Sequence, residues 1–359
     1  MLKKYHQYLI NSFLNNFFKI SLVFLSLSFI LNFFEELKFF DNYNVNTFYP
    51  IFLTFLNTPS TLFELFPFIF LISTKFFYIE LYDKNEIEIL KNNGINYFKI
   101  LSIISIISLI LGFILIFLFY TFSSVLKNQY YNFKNNFTED NTYLAVVNED
   151  GLWIKEDINS ASNFIHSEKF NKNSIENIII TQTSKNYKNI KTIYAKKANI
   201  ERKTWELSDV KLINEQGENQ RFDILKFEST FTGEIISNLF SNLYSLNIYE
   251  LHKLKKNYSN IGYSVLEVSS HLNKLYSSPF FFFLMTVLGL IIMIKFKFIK
   301  KKFFIIVMGV FVSVLIYYLN YFSSLFGNNQ TIPVELSIWL PHLVLFLICL
   351  FGTIKINEV

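Results

Sequence analysis

The sequence predicts a membrane α-helical bundle of six transmembrane helices, with an exported antiparallel β jelly-roll domain inserted between helices 3 and 4. Three observations predict it. Hydrophobic residues make up 52% of the 359 residues against 17% charged, and a mean hydropathy of +0.31 is high for a soluble protein. The apolar residues come in long blocks, not in the alternating or one-face patterns of a soluble core. Between the third and fourth blocks lies a polar, proline-free stretch from Ser123 to Lys274.

A helix needs about 20 apolar residues to cross roughly 30 Å of hydrocarbon, where only a helix or a closed barrel satisfies every backbone polar group. Ile100 to Phe122, Leu275 to Ile294, Phe303 to Phe326 and Leu336 to Ile354 contain no Lys, Arg, Asp or Glu. Leu9 to Phe34 is interrupted only by Lys19, and Pro59 to Ile79 carries Glu64 and Lys75. The first block lacks a small-residue cleavage site and runs into Glu35-Glu36, so it reads as a retained helix and not a signal peptide. The chain thus divides into residues 1–122 with spans one to three and a short helix at 84–94 between spans two and three, 123–274 with the exported domain and its return segment, and 275–359 with spans four to six.

Lys and Arg in short loops are retained on the cytoplasmic side. One set of ends holds Lys3, Lys4, Lys19, Lys75, Lys84, Lys91, Lys99, Lys295, Lys297, Lys300, Lys301, Lys302 and Lys355, whereas the opposite short loops hold only Lys38. Both termini are therefore expected in the cytoplasm and the long polar segment outside. Its 19 Lys and Arg do not oppose this, because long domains translocate largely regardless of charge.

Within that segment, Tyr143 to Val147, Leu152 to Ile154, Ile175 to Thr183, Ile190 to Ile200, Thr204 to Ile213 and Phe222 to Phe227 are rich in β-branched or aromatic residues and separated by polar clusters. Their spacing suits a small antiparallel sandwich or jelly roll. Asn242 to Lys274 reads as helical and leads back to the membrane.

Several chemistries are excluded. No two of the ten glycines are closer than sixteen residues, which removes GxGxxG, Walker A and GxSxG patterns. The five histidines never fall at HxxxH spacing, and a single cysteine, Cys349, makes neither a CxxC pair nor an intrachain disulfide. No catalytic residue, metal site or bound cofactor is expected in this chain.

Three places remain as candidates. Glu86 to Asn92, in the loop between spans two and three, makes about two helical turns that put Glu86 one turn from Leu90 and Ile87 one turn from Lys91, with Gly94 as the stop. It reads either as a solvated connector or as a docking helix for a cytosolic partner. Lys38, in Glu35-Glu36-Leu37-Lys38, reads either as a contact for an anionic lipid head group or as a lysine paired to Glu35 or Asp41 or snorkelling into water. Glu64 lies within a span, where a charge is costly; it either lines a cavity or pairs with a partner. Lys75 is near the cytoplasmic end and reads as structural, and His342 as a packing residue.

The order of three helices, an exported β domain and three more helices resembles the LptF/LptG permease family, the transmembrane subunits of the lipopolysaccharide exporter, over essentially the whole chain. Glu86, Leu90, Lys91 and Gly94 match the family's Glu-x-x-x-hydrophobic-basic-x-x-Gly loop. Pro59-Ser-Thr-Leu-Phe-Glu-Leu-Phe-Pro67, Tyr194-Ala-Lys-Lys-Ala-Asn-Ile-Glu-Arg-Lys-Thr-Trp205 and Trp339-Leu-Pro341 agree as well. The Glu-Glu-Leu-Lys38 stretch is closer to the LptG branch, although LptG-type proteins often carry several basic residues there and this chain matches only one, with Asn32 and Phe39 at neighbouring places.

The resemblance implies a non-ATPase permease of the bacterial inner membrane. A dimeric LptB-type ATPase, which binds the ATP and Mg, would grip the short helix through Glu86, Ile87, Leu90, Lys91 and Gly94. An LptF-type permease would complete a lipid cavity, with Lys38 and Glu64 as head-group candidates, and lipopolysaccharide would pass along an LptC-type chain of periplasmic jelly rolls joined by strand addition. Nucleic acid has no role. The competing reading is a membrane-anchored lipid-binding or assembly protein without transport; a secondary transporter is disfavoured by the few intramembrane charges.

Overall fold

The computed structural model describes residues 4–41, 43, 45–46, 48–134, 137, 152–158, 161–171, 173–184, 189–214, 217–233, 236, 242–260, 264–295 and 302–357. The strand expected at Tyr143 to Val147 lies outside them. The chain forms two units, one of Met1–Tyr130, Tyr244–Ile248 and Leu266–Val359, the other of Tyr131–Leu243 and Tyr249–Val265.

The first unit is helical: α1 (Lys4–Phe40), α2 (Phe48–Asp83), the short α3 (Glu86–Asn92) and, as far as Tyr130, α4 (Tyr97–Lys134). After the β strands and α5 (Ile248–Asn260) of the second unit come α6 (Leu266–Lys295), α7 (Lys302–Asn328) and α8 (Val334–Asn357). Six helices among the described residues are long and apolar enough to cross a membrane. Each expected span is found, and α2 begins eleven residues before Pro59. Residues 48–58 are themselves largely apolar, and a membrane span tolerates a proline inside its helix. Thr54 and Thr58 each donate to the carbonyl four residues earlier at 2.7 Å.

The centre of the unit is α2 and α6, whose spans are 67% and 72% buried against 17% for α1 and 11% for α7. Small residues permit the closest crossings. A Cβ on Gly112 of α4 would fall 2.8 Å from the Pro279 Cα of α6, and one on Gly309 of α7 would overlap the Lys75 side chain of α2. Polar side chains add interhelical bonds, Thr286 to Ser108 at 2.9 Å and Asn32 to Thr61 at 3.1 Å. In α4 the turn at Leu115–Tyr120 widens to a π-helix, the kind of local expansion that re-aims a side chain.

The second unit is built on a six-stranded antiparallel sheet: β1 (Leu152–Ile158), β2 (Ala161–Asn171), β3 (Ser174–Ser184), β4 (Asn189–Asn199), β5 (Thr204–Asn214) and β6 (Asn219–Glu228). Consecutive strands are neighbours throughout, so the described sheet is a meander. Its core gathers Ile165, Ile180, Ile193, Trp205 and Leu207 with Phe231 and Ile236 from beyond β6. The Trp205 indole donates to the Phe231 carbonyl at 2.8 Å, which ties that following segment to the core.

One line crosses five strands. Pairing skips Glu168 opposite Asn177, Asn177 opposite Lys196, Lys196 opposite Asp209 and Asp209 opposite Asp223, and resumes in the same register on either side. Asn177 and Asp209 have positive φ, 52° and 53°. Inward positions change parity across this line: Trp205 and Leu207 before it in β5, Val210 after it. In β2 to β5 two successive outward residues therefore fall at the crease, with no extra residue in either partner strand.

Candidate functional site

Between α2, α6, α7 and α8 lies a cavity of about 390 Å³. Its polar groups come from all four helices, α8 giving His342. Helix α7 supplies Ser313, Tyr317, Asn320, Ser324 and Asn328, a stripe at three- and four-residue spacing on an otherwise apolar helix. The opposite side of α7 leaves Phe311, Leu315, Tyr318 and Phe322 exposed. Helix α2 contributes Glu64, and α6 contributes His271 and Lys274, one turn apart. Phe281, Phe282 and Met285 form an apolar part of the wall.

Both histidines at the cavity are fixed by hydrogen bonds. The Tyr120 hydroxyl donates to the Leu246 carbonyl at 2.9 Å and lies 2.9 Å from His271 Nε2. With its own proton committed, that hydroxyl accepts from the imidazole, so the proton of His271 sits on Nε2. Tyr120 is the last residue of the widened turn of α4. His342 Nδ1 lies 2.7 Å from the Ile338 carbonyl of its own helix, and its ring meets Phe281 edge-on at 4.8 Å. It is buried and packed.

A cavity with one carboxylate, one ammonium, amide and phenol groups and an aromatic wall suits an amphiphile whose head group carries both anionic and hydroxyl or amine functions. Glu64, read from the sequence as cavity-lining or paired, lines this cavity. Lys38 does not; it is exposed at the far end of α1. The buried charge there is Glu36, which is 1% exposed and accepts a 2.7 Å hydrogen bond from Tyr130. Beside it Lys127 donates to Asn57 and sits 5.0 Å from the Tyr130 ring centroid. Sequence reading missed Glu36, Lys127 and Lys274. Glu36 had a visible signal, because Ser28, Asn32 and Glu36 recur every fourth residue and all three are buried.

At the other end of the unit, α3 follows Asn85, whose φ of 55° turns the chain sharply out of α2. Its C-terminus carries two backbone bonds, Ile95 N to Leu90 O and Gly94 N to Lys91 O, both 2.9 Å. With Gly94 at φ 75° this is a Schellman ending. Ile87 is buried, Glu86 and Leu90 are half-buried, and Glu88, Ile89, Lys91 and Gly94 are exposed. The Lys91 ammonium lies 3.9 Å over the Tyr97 ring. Glu86 accepts from the Tyr8 hydroxyl of α1, at 2.7 and 2.6 Å to its two oxygens.

In comparisons with known proteins, residues 7–355 match the family described as lipopolysaccharide export system permease LptF/LptG. No curated protein gives a significant match.

Proposed function

Because the chain belongs to the LptF/LptG family of lipopolysaccharide export permeases, we propose that it is the LptG-type transmembrane subunit of an ATP-driven exporter that draws lipopolysaccharide from the inner membrane towards a periplasmic jelly-roll bridge. In this reading a cytosolic LptB-type ATPase dimer holds α3, an LptF-type permease stands beside the chain, and an LptC-type protein continues the β domain. The termini and α3 face the cytoplasm and the β domain faces the periplasm. The observation that carries the reading is α3. It is a capped two-turn helix that projects Ile89 and Lys91 outward, in a chain without a nucleotide motif of its own. Leu90→Asp or Lys91→Glu is expected to abolish copurification of the ATPase while the protein still inserts in the membrane. Undiminished copurification of both variants would overturn the reading.

A further inference from the structure

The first four turns of α1 carry Tyr8, Ser12 and Asn16 at four-residue spacing, one row on one helix face. All three meet carboxylates at the junction of α2 and α3. Asn16 Nδ2 donates to Glu80 at 2.7 Å and Ser12 Oγ reaches it at 3.5 Å, while Lys84 donates to Glu80 from the chain between α2 and α3 at 2.7 Å. Tyr8 is the member of the row that reaches α3 itself, through Glu86. A seven-residue helix has little stability alone and moves with what holds it. Here α3 is held by chain continuity and packing to α2, by Ile87, and by this hydroxyl to α1.

We propose that Tyr8 is a positioning residue that ties α3 to α1, so that motion imposed on α3 is delivered to α1 as well as to α2. The proposal rests on the reading of α3 as the ATPase contact. Helix α1 suits this role because most of its span is unburied within the chain, and packed helices transmit a small displacement as rigid bodies. The contact would be one by which ATP hydrolysis becomes movement of a largely unburied span.

The experiment uses the assembled exporter in proteoliposomes loaded with lipopolysaccharide, comparing wild type with Tyr8→Phe, which removes one oxygen atom. Tyr8→Phe is expected to keep the ATPase bound and hydrolysis within about twofold, while lipopolysaccharide released per ATP falls by about fivefold, the lower end of what a coupling contact carries. A spin label at exposed Leu37 should shift on ATP addition in wild type and shift less in Tyr8→Phe. Unchanged release per ATP, or an unchanged label shift, would overturn the tether. Loss of ATPase binding or hydrolysis in Tyr8→Phe would also overturn it, since the hydroxyl would then merely support docking. Absence of ATP-dependent release from the wild-type complex is a different result, which would take down the exporter reading itself.

Discussion

Lys274 carries the positive charge of the cavity, one turn from His271 and facing the same space as Glu64. Its ammonium is suited to a phosphate, whereas Glu64 accepts from hydroxyl or amine groups. Lys274→Gln is expected to weaken lipopolysaccharide binding by about tenfold, equivalent to about 1.4 kcal/mol, as measured by ligand copurification from the membrane. Glu36 has a different part. Losing the Tyr130 donor in Tyr130→Phe should cost about 1.5–3 kcal/mol, the usual worth of a bond to a charged group, read as a lower melting temperature in detergent. These residues show how legibility works at this scale. Glu64 stood out because it interrupts an apolar block. Lys274 did not, because it sits where a polar segment passes into an apolar one, and only the three-dimensional crossing of α6 with α7 turns it inward.

At the scale of elements, α3 was readable almost residue by residue. Gly94 follows the last turn in a sequence that lacks other glycines nearby, and the structure gives it φ 75° with no heavy atom within 4 Å of a Cβ placed there. Gly94→Ala is therefore opposed by backbone conformation alone, and it should destabilise the α3 ending by about 1–2 kcal/mol, seen as faster amide exchange at Gly94 and Ile95. The α2–α7 crossing makes an opposite case, decided by space. Gly309→Ala drives a methyl into the buried Lys75 side chain and should cost about 1–3 kcal/mol as overpacking. Adding Lys75→Ala should restore most of that loss, a coupling that a double-mutant cycle measures. The strand β2 was not legible, because its inward positions include Asn163 and Ser167. These are bonded within the sheet, Ser167 donating to the Glu176 carbonyl at 2.9 Å and Asn163 accepting from the Gln182 amide at 2.9 Å, so polar residues take core positions there.

For the whole molecule, the division into six apolar helices and an inserted β domain was legible because a lipid solvent forces long uninterrupted blocks and translocated domains do not show them. What a single sequence does not display is which spans remain uncovered. Helices α1 and α7 are buried over only 17% and 11% of their spans, and in the proposed exporter a second permease meets them. Purification in mild detergent is expected to bring down a stoichiometric ATPase and a second six-span chain; a protein that repeatedly purifies alone would count against that assembly. The crease in the sheet bears on the other set of contacts. Positive φ falls on β3 and β5 but not on β4, so the left-handed residue alternates from strand to strand. A seventh strand laid antiparallel on β6 would be next in that alternation. A strand that continued this alternation would set a left-handed residue opposite Asp223, a conformation open to Asn, Asp or Gly and costly for β-branched residues. The crease thus acts as a one-letter password for whichever strand is to extend this sheet.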